Sequence, residues 1–286
     1  MPLDNIRTVT IAGAGLIGGS FALALRRAGF SGRILGVSSS HTLARARQLG
    51  VIDDGVSLEE GAARADLIYM AQPISRILDQ LPALASHISP GALATDAGST
   101  KRTIVETAER HFPRGAFLGG HPMAGKESRG VESADPSLFE GRTYILTPSR
   151  AADIELPAAR EFISWLEKIG ARVHVMNPEQ HDTVVSLTSH LAQMASTALG
   201  KVVLDSVDST NADYSTAGPG LLDMTRLAMS SYDVWKDIIA TNHDSIVNAL
   251  DAYIDLLKKL RDTLGSSETA AVFEDGARLA RQIRSR

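Results

Sequence analysis

The first half of the chain alternates short β-branched apolar runs with longer runs in which apolar residues recur every three or four positions. The short runs are typical of buried strands, and the longer runs are typical of helices. The predicted strands are 7–12, 33–37, 66–71, 92–95, 116–118, 143–146 and 172–176. The predicted helices are 21–29, 42–49, 74–84, 100–110 and 156–169. This alternation predicts an α/β fold with a doubly wound, mostly parallel sheet, in which ligands bind beyond the carboxyl ends of the strands.

The pattern changes after Asn177 and Pro178, where the predicted strands stop. Helical periodicity covers residues 179–206, 221–264 and 268–284, and a loop rich in Ser, Asp and Gly covers residues 207–220. We therefore predict two domains, an α/β domain over residues 1–177 and an all-helical domain over residues 178–286.

Composition narrows the classes of protein. The chain of 286 residues has a net charge of -4, which argues against a nucleic-acid-binding protein with a uniformly basic surface. It contains no cysteine, so disulfides, thiolate metal sites and cysteine nucleophiles are excluded. Residues 1–10 lack a signal-peptide pattern, and no apolar run approaches the ~20 residues of a membrane helix. We expect a cytoplasmic protein with no nucleic-acid partner, no membrane partner and no metal.

Residues 13–18, GAGLIG, match the G-x-G-x-x-G pattern of dinucleotide-binding loops. The pattern lies between a predicted strand and a predicted helix. There the first glycine permits a tight turn, the second admits a pyrophosphate and the third lets helix and strand pack closely. We predict binding of NAD or NADP, and the alternative is a glycine-rich turn without a ligand. The expected cofactor contacts are Gly13, Gly15, Leu16, Ile17 and Gly18, together with Gln72, Pro73 and Ser99 after later strands.

The end of the second predicted strand bears on the choice between NAD and NADP. An acidic residue at this position binds the ribose hydroxyls in the usual pattern, but this chain has Ser38 and Ser39. No arginine stands next to them to bind a 2′-phosphate, although His41 and Arg45 lie nearby. The sequence therefore leaves the choice open, and the serines are equally compatible with capping a helix.

Two further segments follow predicted strands, DAGSTK at 96–101 and GGHPMAGKES at 119–128. The first supplies the hydroxyl of Ser99 and the cation of Lys101. The second supplies the imidazole of His121, in a stretch whose Gly, Ala and Pro content predicts a loop. A base for a hydroxyl proton, placed beside a hydride acceptor, is what the dehydrogenation of an alcohol requires. The GSTK stretch lacks the spacing of a P-loop.

Five motifs in order resemble those of the prephenate/arogenate dehydrogenase family of tyrosine biosynthesis. They are GAGLIGGS at 13–20, DAGSTK at 96–101, GGHPMAGKE at 119–127, HDTVVSLTSHL at 181–191, and LDMTRLA with VWKDI at 222–238. The resemblance extends over nearly the whole chain. It implies a Rossmann domain followed by a helical dimerisation domain, and a homodimer. It also implies NAD(P)-dependent oxidative decarboxylation of prephenate to 4-hydroxyphenylpyruvate, or of arogenate to tyrosine.

The resemblance also implies roles for individual residues. His121 matches the base that accepts the proton of the ring 4-hydroxyl, and Ser99 matches a serine that hydrogen-bonds near that hydroxyl and the nicotinamide. Arg226 matches the arginine that binds a substrate carboxylate. The other matches are Asp223 and Glu127 in a gating ionic network with Arg226, His190 in the pocket lining, and Trp235 near the site across the dimer. Further candidate cations for the substrate are Lys101, Lys126 and Arg129.

The chain departs from the family pattern at two places. The family commonly has a proline and then a second histidine or glutamine in the helical motif, where this chain reads Ser189-His190-Leu191-Ala192-Gln193. The neutral amide of Gln193 shares a helical face with His190, which leaves prephenate and arogenate both open as the substrate. Leu221 and Leu222 stand where the family often has Phe-Arg, so one cation near Arg226 is missing.

Two other functions remain open. A different Rossmann hydroxy-acid dehydrogenase would use a lysine of the helical half as its acid and base, and Lys201 is the candidate. A non-catalytic NAD(P)-sensing protein would need the first loop but not Ser99, His121 and Arg226 together. His181 and Asp182 are expected to form a helix start with local salt bridges rather than part of a site.

Overall fold

The computed structural model describes residues 5–210 and 213–285, and the side chains of residues 208–210 are not described. The chain divides into two units. The first runs to Val185 and includes Met229–Asn242; the second consists of Ser186–Ala228 and the chain from His243 onward. This division is based on the contacts within each unit. The domain boundary predicted at Asn177 stays a prediction.

The first unit contains one eight-stranded sheet in the order β3-β2-β1-β4-β5-β6-β7-β8. The strands are β1 Thr8–Ala12, β2 Arg33–Val37, β3 Asp54–Gly55, β4 Leu67–Met70, β5 Leu93–Asp96, β6 Phe117–Pro122, β7 Thr143–Thr147 and β8 Arg172–Val175. Neighbouring strands from β3 through β6 are parallel, β7 is antiparallel to β6, and β8 is parallel to β7. The predicted doubly wound α/β fold is confirmed.

Helices of this unit cover the sheet. They are α1 Leu16–Arg27, α2 Ser40–Gln48, α3 Leu58–Arg64, α4 Ile74–His87, α5 Arg102–His111, α6 Pro157–Lys168, α7 Pro178–Val185 and α10 Tyr232–Thr241. The sequence pattern missed β3 and α3. A strand of two residues has no periodicity, and Gly61 interrupts the helical pattern of α3. A side chain at Gly61 would meet Thr10 Cγ2 at 2.7 Å, so the glycine lets this helix approach the sheet.

Aromatic side chains join the first helix to the sheet. The ring of Phe21 in α1 stacks on Tyr69 in β4 with centroids 4.0 Å apart. Phe139 and Phe162 meet Phe21 edge-on, and all four rings are buried. Aromatic pairs of this geometry contribute roughly 0.5–1.5 kcal/mol beyond their area. This packing fixes the start of α1 relative to the carboxyl ends of the central strands.

Two helices that begin at this edge of the sheet are capped by residues from much later in the chain. Neither α4 nor α5 has a side-chain cap of its own. Asp237 of α10 accepts the backbone N–H of Ser75 at 2.9 Å. Asp182 of α7 accepts the N–H groups of Lys101 at 2.7 Å and Arg102 at 3.0 Å. Carboxylates stabilise the positive ends of helices. These hydrogen bonds join α10 to α4 and α7 to α5, so α7 and α10 are part of the unit that contains the sheet.

The second unit is helical. Its helices are α8 Leu191–Thr210, α9 Pro219–Thr225, α11 His243–Asp262 and α12 Ser267–Arg284. One π-helical turn, Ser186–His190, precedes α8, and a 3-10 turn, Arg226–Met229, follows α9. The predicted helical stretch over 221–264 is divided into α9, the 3-10 turn, α10 and α11. Helix α8 also extends into the predicted loop at 207–220, of which residues 211 and 212 lie outside the described residues.

None of the helices within residues 5–210 and 213–285 has the length and apolar character needed to cross a membrane.

Candidate active site

The three glycines of the loop after β1 differ in how much space surrounds them. Gly13 has a φ of 98°, and a Cβ there would lie 2.5 Å from the carbonyl oxygen of Ala71. A Cβ on Gly18 would lie 2.2 Å from the carbonyl oxygen of Gly13. A Cβ on Gly15 would have no atom within 4 Å. The outer glycines are therefore required by packing, while open space lies over the middle one, as a diphosphate needs.

The positive end of α1 is arranged to receive an anion. Leu16 and Ile17 begin this helix after Gly15, which offers no side-chain cap, and the first turn has no acidic residue. By contrast, carboxylates occupy the N-termini of α4 and α5. Unsatisfied N–H groups and the helix dipole favour a phosphate at such an end. Together with the open space at Gly15, this end of α1 fits a dinucleotide.

Two alanine substitutions separate packing from binding in this loop. Gly15→Ala is expected to leave the melting temperature unchanged, because φ at Gly15 is -87° and the space is open. It should weaken NADH binding by about tenfold, the equivalent of ~1.4 kcal/mol, because the methyl group occupies the approach to the phosphates. Gly18→Ala is expected to cost about 1–3 kcal/mol of stability through overpacking. Thermal unfolding and fluorescence titration with NADH measure the two effects, and equal behaviour of the variants would contradict this assignment.

The residues after β2 that bear on the choice of cofactor differ in their exposure and in their contacts. Ser38 directly follows the strand and is half-buried, while His41 is exposed. Ser39 caps α2 by accepting the N–H of Thr42 at 3.3 Å. Arg45 pairs with Glu132 at 3.2 Å. Ser39 thus has the capping role, and Arg45 has a carboxylate partner. The choice between NAD and NADP stays open.

A cavity of about 520 Å³ lies between the segments that follow β4 and β5 and helix α10. It is beside the glycine loop because Gln72, one of its lining residues, packs against Gly13. Gln72, Pro73 and Ser99 are among the residues that line it. The Oε1 atom of Gln72 is buried and has no hydrogen-bond partner among the described residues. A buried acceptor of this kind calls for a donor from a bound molecule. The carboxamide of a nicotinamide carries such a donor.

His121 lies in a strand, so the predicted loop at this position is wrong. It belongs to β6 and is opposite Ile145 of β7. The preceding glycines are required by close packing inside the sheet: a Cβ on Gly119 would lie 2.3 Å from Thr147 Oγ1, and one on Gly120 would lie 2.6 Å from the carbonyl oxygen of Asp96. The glycines that predicted a loop therefore serve a tightly packed strand, which holds the backbone of His121.

The imidazole of His121 contacts a second histidine. His121 Nδ1 lies 2.8 Å from His181 Nε2, and His181 Nδ1 lies 2.7 Å from Asp182 Oδ1. Burial lowers the pKa of His181, although its hydrogen bond with Asp182 opposes this shift. The local pair of His181 and Asp182 is present as expected, but the expectation that they stand apart from the site is wrong. No cluster of three or more potential metal ligands occurs within residues 5–210 and 213–285.

Lys101 is not available to a substrate, contrary to the sequence-based expectation. Its side chain is fully buried, pairs with Asp96, and donates to the carbonyl oxygen of Gly120 at 2.8 Å. Asp96 also accepts the N–H of Gly98 at 2.8 Å and that of Gly120 at 3.1 Å. Burial lowers the pKa of Lys101, and Asp96 opposes that shift. The pair therefore supports the backbone next to His121.

The cations after His121 differ in their availability. Lys126 pairs with Asp135 at 2.7 Å, and this hydrogen bond lowers the pKa of Asp135. Glu127 is exposed. Arg129 lines the cavity beside the glycine loop, and so do Arg76 and Lys236. Of the cations proposed from the sequence near His121, Arg129 is the one that the structure brings to this cavity.

The remaining predicted residues lie mostly in the second unit. His190 ends the π-helical turn and is buried, while Asp223 and Arg226 are exposed. Gln193 uses both amide hydrogens within this unit, donating to Thr197 Oγ1 at 3.1 Å and to the carbonyl oxygen of Leu227 at 2.9 Å. Gln193 therefore holds the backbone next to Arg226.

Trp235 belongs to the first unit, where its indole N–H donates to Ser230 Oγ at 3.0 Å.

Sequence reasoning missed the supporting residues of the first unit. The link between His181 and His121 spans 60 positions, and that between Asn242 Nδ2 and the carbonyl oxygen of Asp182 also spans 60. Helical periodicity describes neighbours on one helix, so it carries no information about such contacts. The one available signal was that His181 and Asp182 begin a motif shared with the family.

Comparison with known proteins agrees with this arrangement. The model of the prephenate dehydrogenase nucleotide-binding domain matches residues 21–175, and that of the prephenate dehydrogenase dimerization domain matches residues 177–277. Prephenate dehydrogenase of Bacillus subtilis is 37% identical over 270 residues, covering 93% of this chain and 72% of the relative.

Similar solved structures include enzymes named for two different substrates, prephenate and arogenate. Prephenate dehydrogenase of A. aeolicus, in complex with hydroxyphenyl propionate and NAD+, has a TM-score of 0.82 and 30% identity over 97% of this chain and 96% of that one. Arogenate dehydrogenase of Synechocystis has a TM-score of 0.77 and 29% identity over 97% and 98% of the two chains.

Proposed function

The chain belongs to the prephenate dehydrogenase family, and on that premise we propose that it catalyses NAD(P)-dependent oxidative decarboxylation of prephenate or arogenate in tyrosine biosynthesis. One observation carries the proposal. His121, which matches the family's base, is at the carboxyl end of β6, and β6 is parallel to the strands that precede the dinucleotide loop and the cavity. The base and the cofactor site therefore share one edge of the sheet.

In this proposal His121 and Ser99 act on the ring hydroxyl. Ser99 hydrogen-bonds the ring hydroxyl near the nicotinamide. His121 takes the proton of this hydroxyl as the hydride leaves the ring carbon that bears it. The bound cofactor supplies the hydride acceptor. A general base in this position contributes about 10²–10⁴-fold to the rate. When the ring carboxylate leaves as CO₂, the ring becomes aromatic, and His121 returns the proton to the ring oxygen.

The substrate's carboxylates need local cations because the whole chain has a net charge of -4. Arg226 is proposed to bind one of them, with a hydrogen bond that contributes roughly 1.5–3 kcal/mol. Gln193 supports this role by holding the carbonyl of the adjacent Leu227. Asp223, Glu127, His190 and Trp235 keep the roles that the family resemblance implies, and Lys126 stays a candidate cation for the substrate.

The lysine-dependent alternative receives no support from the second unit. Lys201 forms an exposed pair with Asp205, one helical turn away, at 2.6 Å. A lysine that acts as acid and base works from a desolvated position, whereas Lys201 is exposed. A hydroxy-acid dehydrogenase that relies on Lys201 is therefore disfavoured.

The helical unit is proposed to form a homodimer. Helix α12 has no buried residue, and its exposed apolar side chains include Phe273, Leu279 and Ile283. Apolar surface of this extent on a helix is typical of an interface. We also propose a cytoplasmic location, because the cofactor and the proposed substrates are cytoplasmic metabolites.

Initial rates of reduced nicotinamide formation test the proposal, with prephenate and arogenate each combined with NAD and NADP. Turnover in at least one combination is expected, and the pattern of the four identifies substrate and cofactor. A titration with NADH checks that the sample binds dinucleotide. Binding without turnover in any combination would overturn the dehydrogenase assignment.

A further inference from the structure

A hydrogen-bonded series of three buried side chains ends on His121. Asp182 contacts His181, and His181 contacts His121, through Oδ1···Nδ1 and Nε2···Nδ1 distances of 2.7 and 2.8 Å. The residues Asp182, His181 and His121 are respectively 2%, 0% and 9% exposed. All three residues belong to the first unit. The reaction described above uses only the last of them.

Asp182 is a fixed acceptor. Its carboxylate accepts the N–H groups of Lys101 and Arg102 at the start of α5, and its backbone carbonyl accepts from Asn242. Both carboxylate oxygens therefore already act as acceptors, at a helix start where a carboxylate is a favourable partner. An ionised carboxylate has no hydrogen to donate. The atom facing it at 2.7 Å, His181 Nδ1, must therefore carry a hydrogen.

His181 is consequently an acceptor on its other side. Burial lowers the pKa of His181, which favours the neutral ring. A neutral imidazole with its hydrogen on Nδ1 has a lone pair on Nε2. That lone pair faces His121 Nδ1 at 2.8 Å, so His121 Nδ1 must carry a hydrogen.

We propose that His181 and Asp182 are positioning residues that keep neutral His121 in the tautomer with its hydrogen on Nδ1 and its basic lone pair on Nε2. The proposal rests on the proposed function, in which His121 is the base. The alternative tautomer would place a hydrogen on Nε2, and that nitrogen could then accept no proton.

The same contacts favour the protonated ring during the reaction. Once His121 has taken a proton, its Nδ1–H donates to His181 with charge assistance, and the negative charge of Asp182 lies beyond His181. The other charged groups around His181 are Lys101, which disfavours positive charge there, and its partner Asp96, which has the opposite effect. The side chains of Lys101 and Asp96 pair with each other, so Asp182 supplies the negative charge of the series.

Nuclear magnetic resonance of protein labelled with ¹⁵N-histidine tests the tautomers without any substrate. Two-bond ¹H–¹⁵N correlations distinguish the two neutral tautomers, and the His121→Asn and His181→Phe variants assign the two rings among the eight histidines. We expect hydrogens on Nδ1 of both rings in the unmodified protein. In His181→Phe, His121 should gain the tautomer with hydrogen on Nε2. A wild-type His121 with its hydrogen on Nε2 would overturn the proposal, whatever the enzyme's substrate.

Steady-state kinetics test the positioning role. His181→Phe keeps a ring of similar size and removes the acceptor, and it should lower kcat by about 10–100-fold with little change in KM. The acid limb of the pH profile of kcat should move to lower pH, because the protonated ring loses an acceptor. His181→Gln retains an acceptor and should recover part of the rate. Val185→Ala, at a buried site on the same helix, controls for lost packing and should leave the pH profile unchanged.

A double-mutant cycle separates this proposal from the proposed function. In the His121→Asn background, His181→Phe should change kcat by less than about twofold, because its effect passes through His121. Additive losses in the two backgrounds would reject the positioning role while leaving the dehydrogenase assignment intact. Failure of the unmodified protein to turn over any substrate would reject the function, and the tautomer measurement would still decide the geometry.

Discussion

Replacement of His121 by asparagine is expected to lower kcat by about 10²–10⁴-fold, because the amide cannot take up the hydroxyl proton. Dinucleotide affinity should remain within about twofold of the unmodified value, since the open space at Gly15 and the start of α1 are unchanged. The fold should also persist, because asparagine is smaller and β6 is held by Asp96 and Lys101 through Gly120. Initial rates and NADH titration measure the two effects on the same preparation.

His174→Asn is the matched control, since His174 is exposed on β8 in the same unit. It should retain the full rate. A non-catalytic sensor predicts that neither substitution matters, because the unmodified protein would have no turnover to lose. Retention of more than about a tenth of kcat in His121→Asn would remove His121 from the role of general base.

Replacement of Lys101 by methionine is expected to lower the free energy of unfolding by about 3–5 kcal/mol, because it leaves the buried carboxylate of Asp96 without its counter-charge. Both side chains are completely shielded from solvent. Methionine fills a similar volume, so loss of packing is a small part of the effect. Urea denaturation at fixed protein concentration measures the change, because dimerisation makes apparent stability depend on concentration.

Two further variants show whether the lower free energy of unfolding of Lys101→Met comes from the unpaired charge of Asp96. Lys258→Met removes an exposed lysine that pairs with Asp255, and it should change stability by less than about 0.5 kcal/mol. The Asp96→Asn/Lys101→Met double variant buries no unpaired charge and should be more stable than Lys101→Met alone. If the double variant is no more stable, the loss comes from packing rather than from the isolated charge of Asp96.

Local patterns were sufficient to predict the sheet and the place of the glycine loop in it. The β-branched runs identified seven of the strands approximately, and GAGLIG lies between a strand and a helix as predicted. These predictions succeed because strands and glycine turns are determined by neighbouring residues. The structure adds the reason for each glycine, which is close packing at Gly13 and Gly18 and open space at Gly15.

The failures concern contacts between distant parts of the chain. His121 was expected in a loop because two glycines precede it, but pairing with β7 makes this segment a strand. Lys101 was expected to meet the substrate, but Asp96 makes its complete burial possible. The sequence pattern relates His181 only to its neighbour Asp182 at a helix start, whereas its partner in the structure is His121. In each case the deciding partner belongs to another element, which no local pattern reports.

The late caps on α4 and α5 have a consequence for the order in which the protein can mature on the ribosome. Asp182 must be synthesised before α5 is capped, and Asp237 must follow before α4 is capped, 162 positions after Ser75. The sheet strands have all emerged well before that point. The nucleotide-binding unit therefore completes its folding only after more than half of residues 178–286 have been translated, and a nascent chain that stops at β8 would lack the carboxylate caps of α4 and α5.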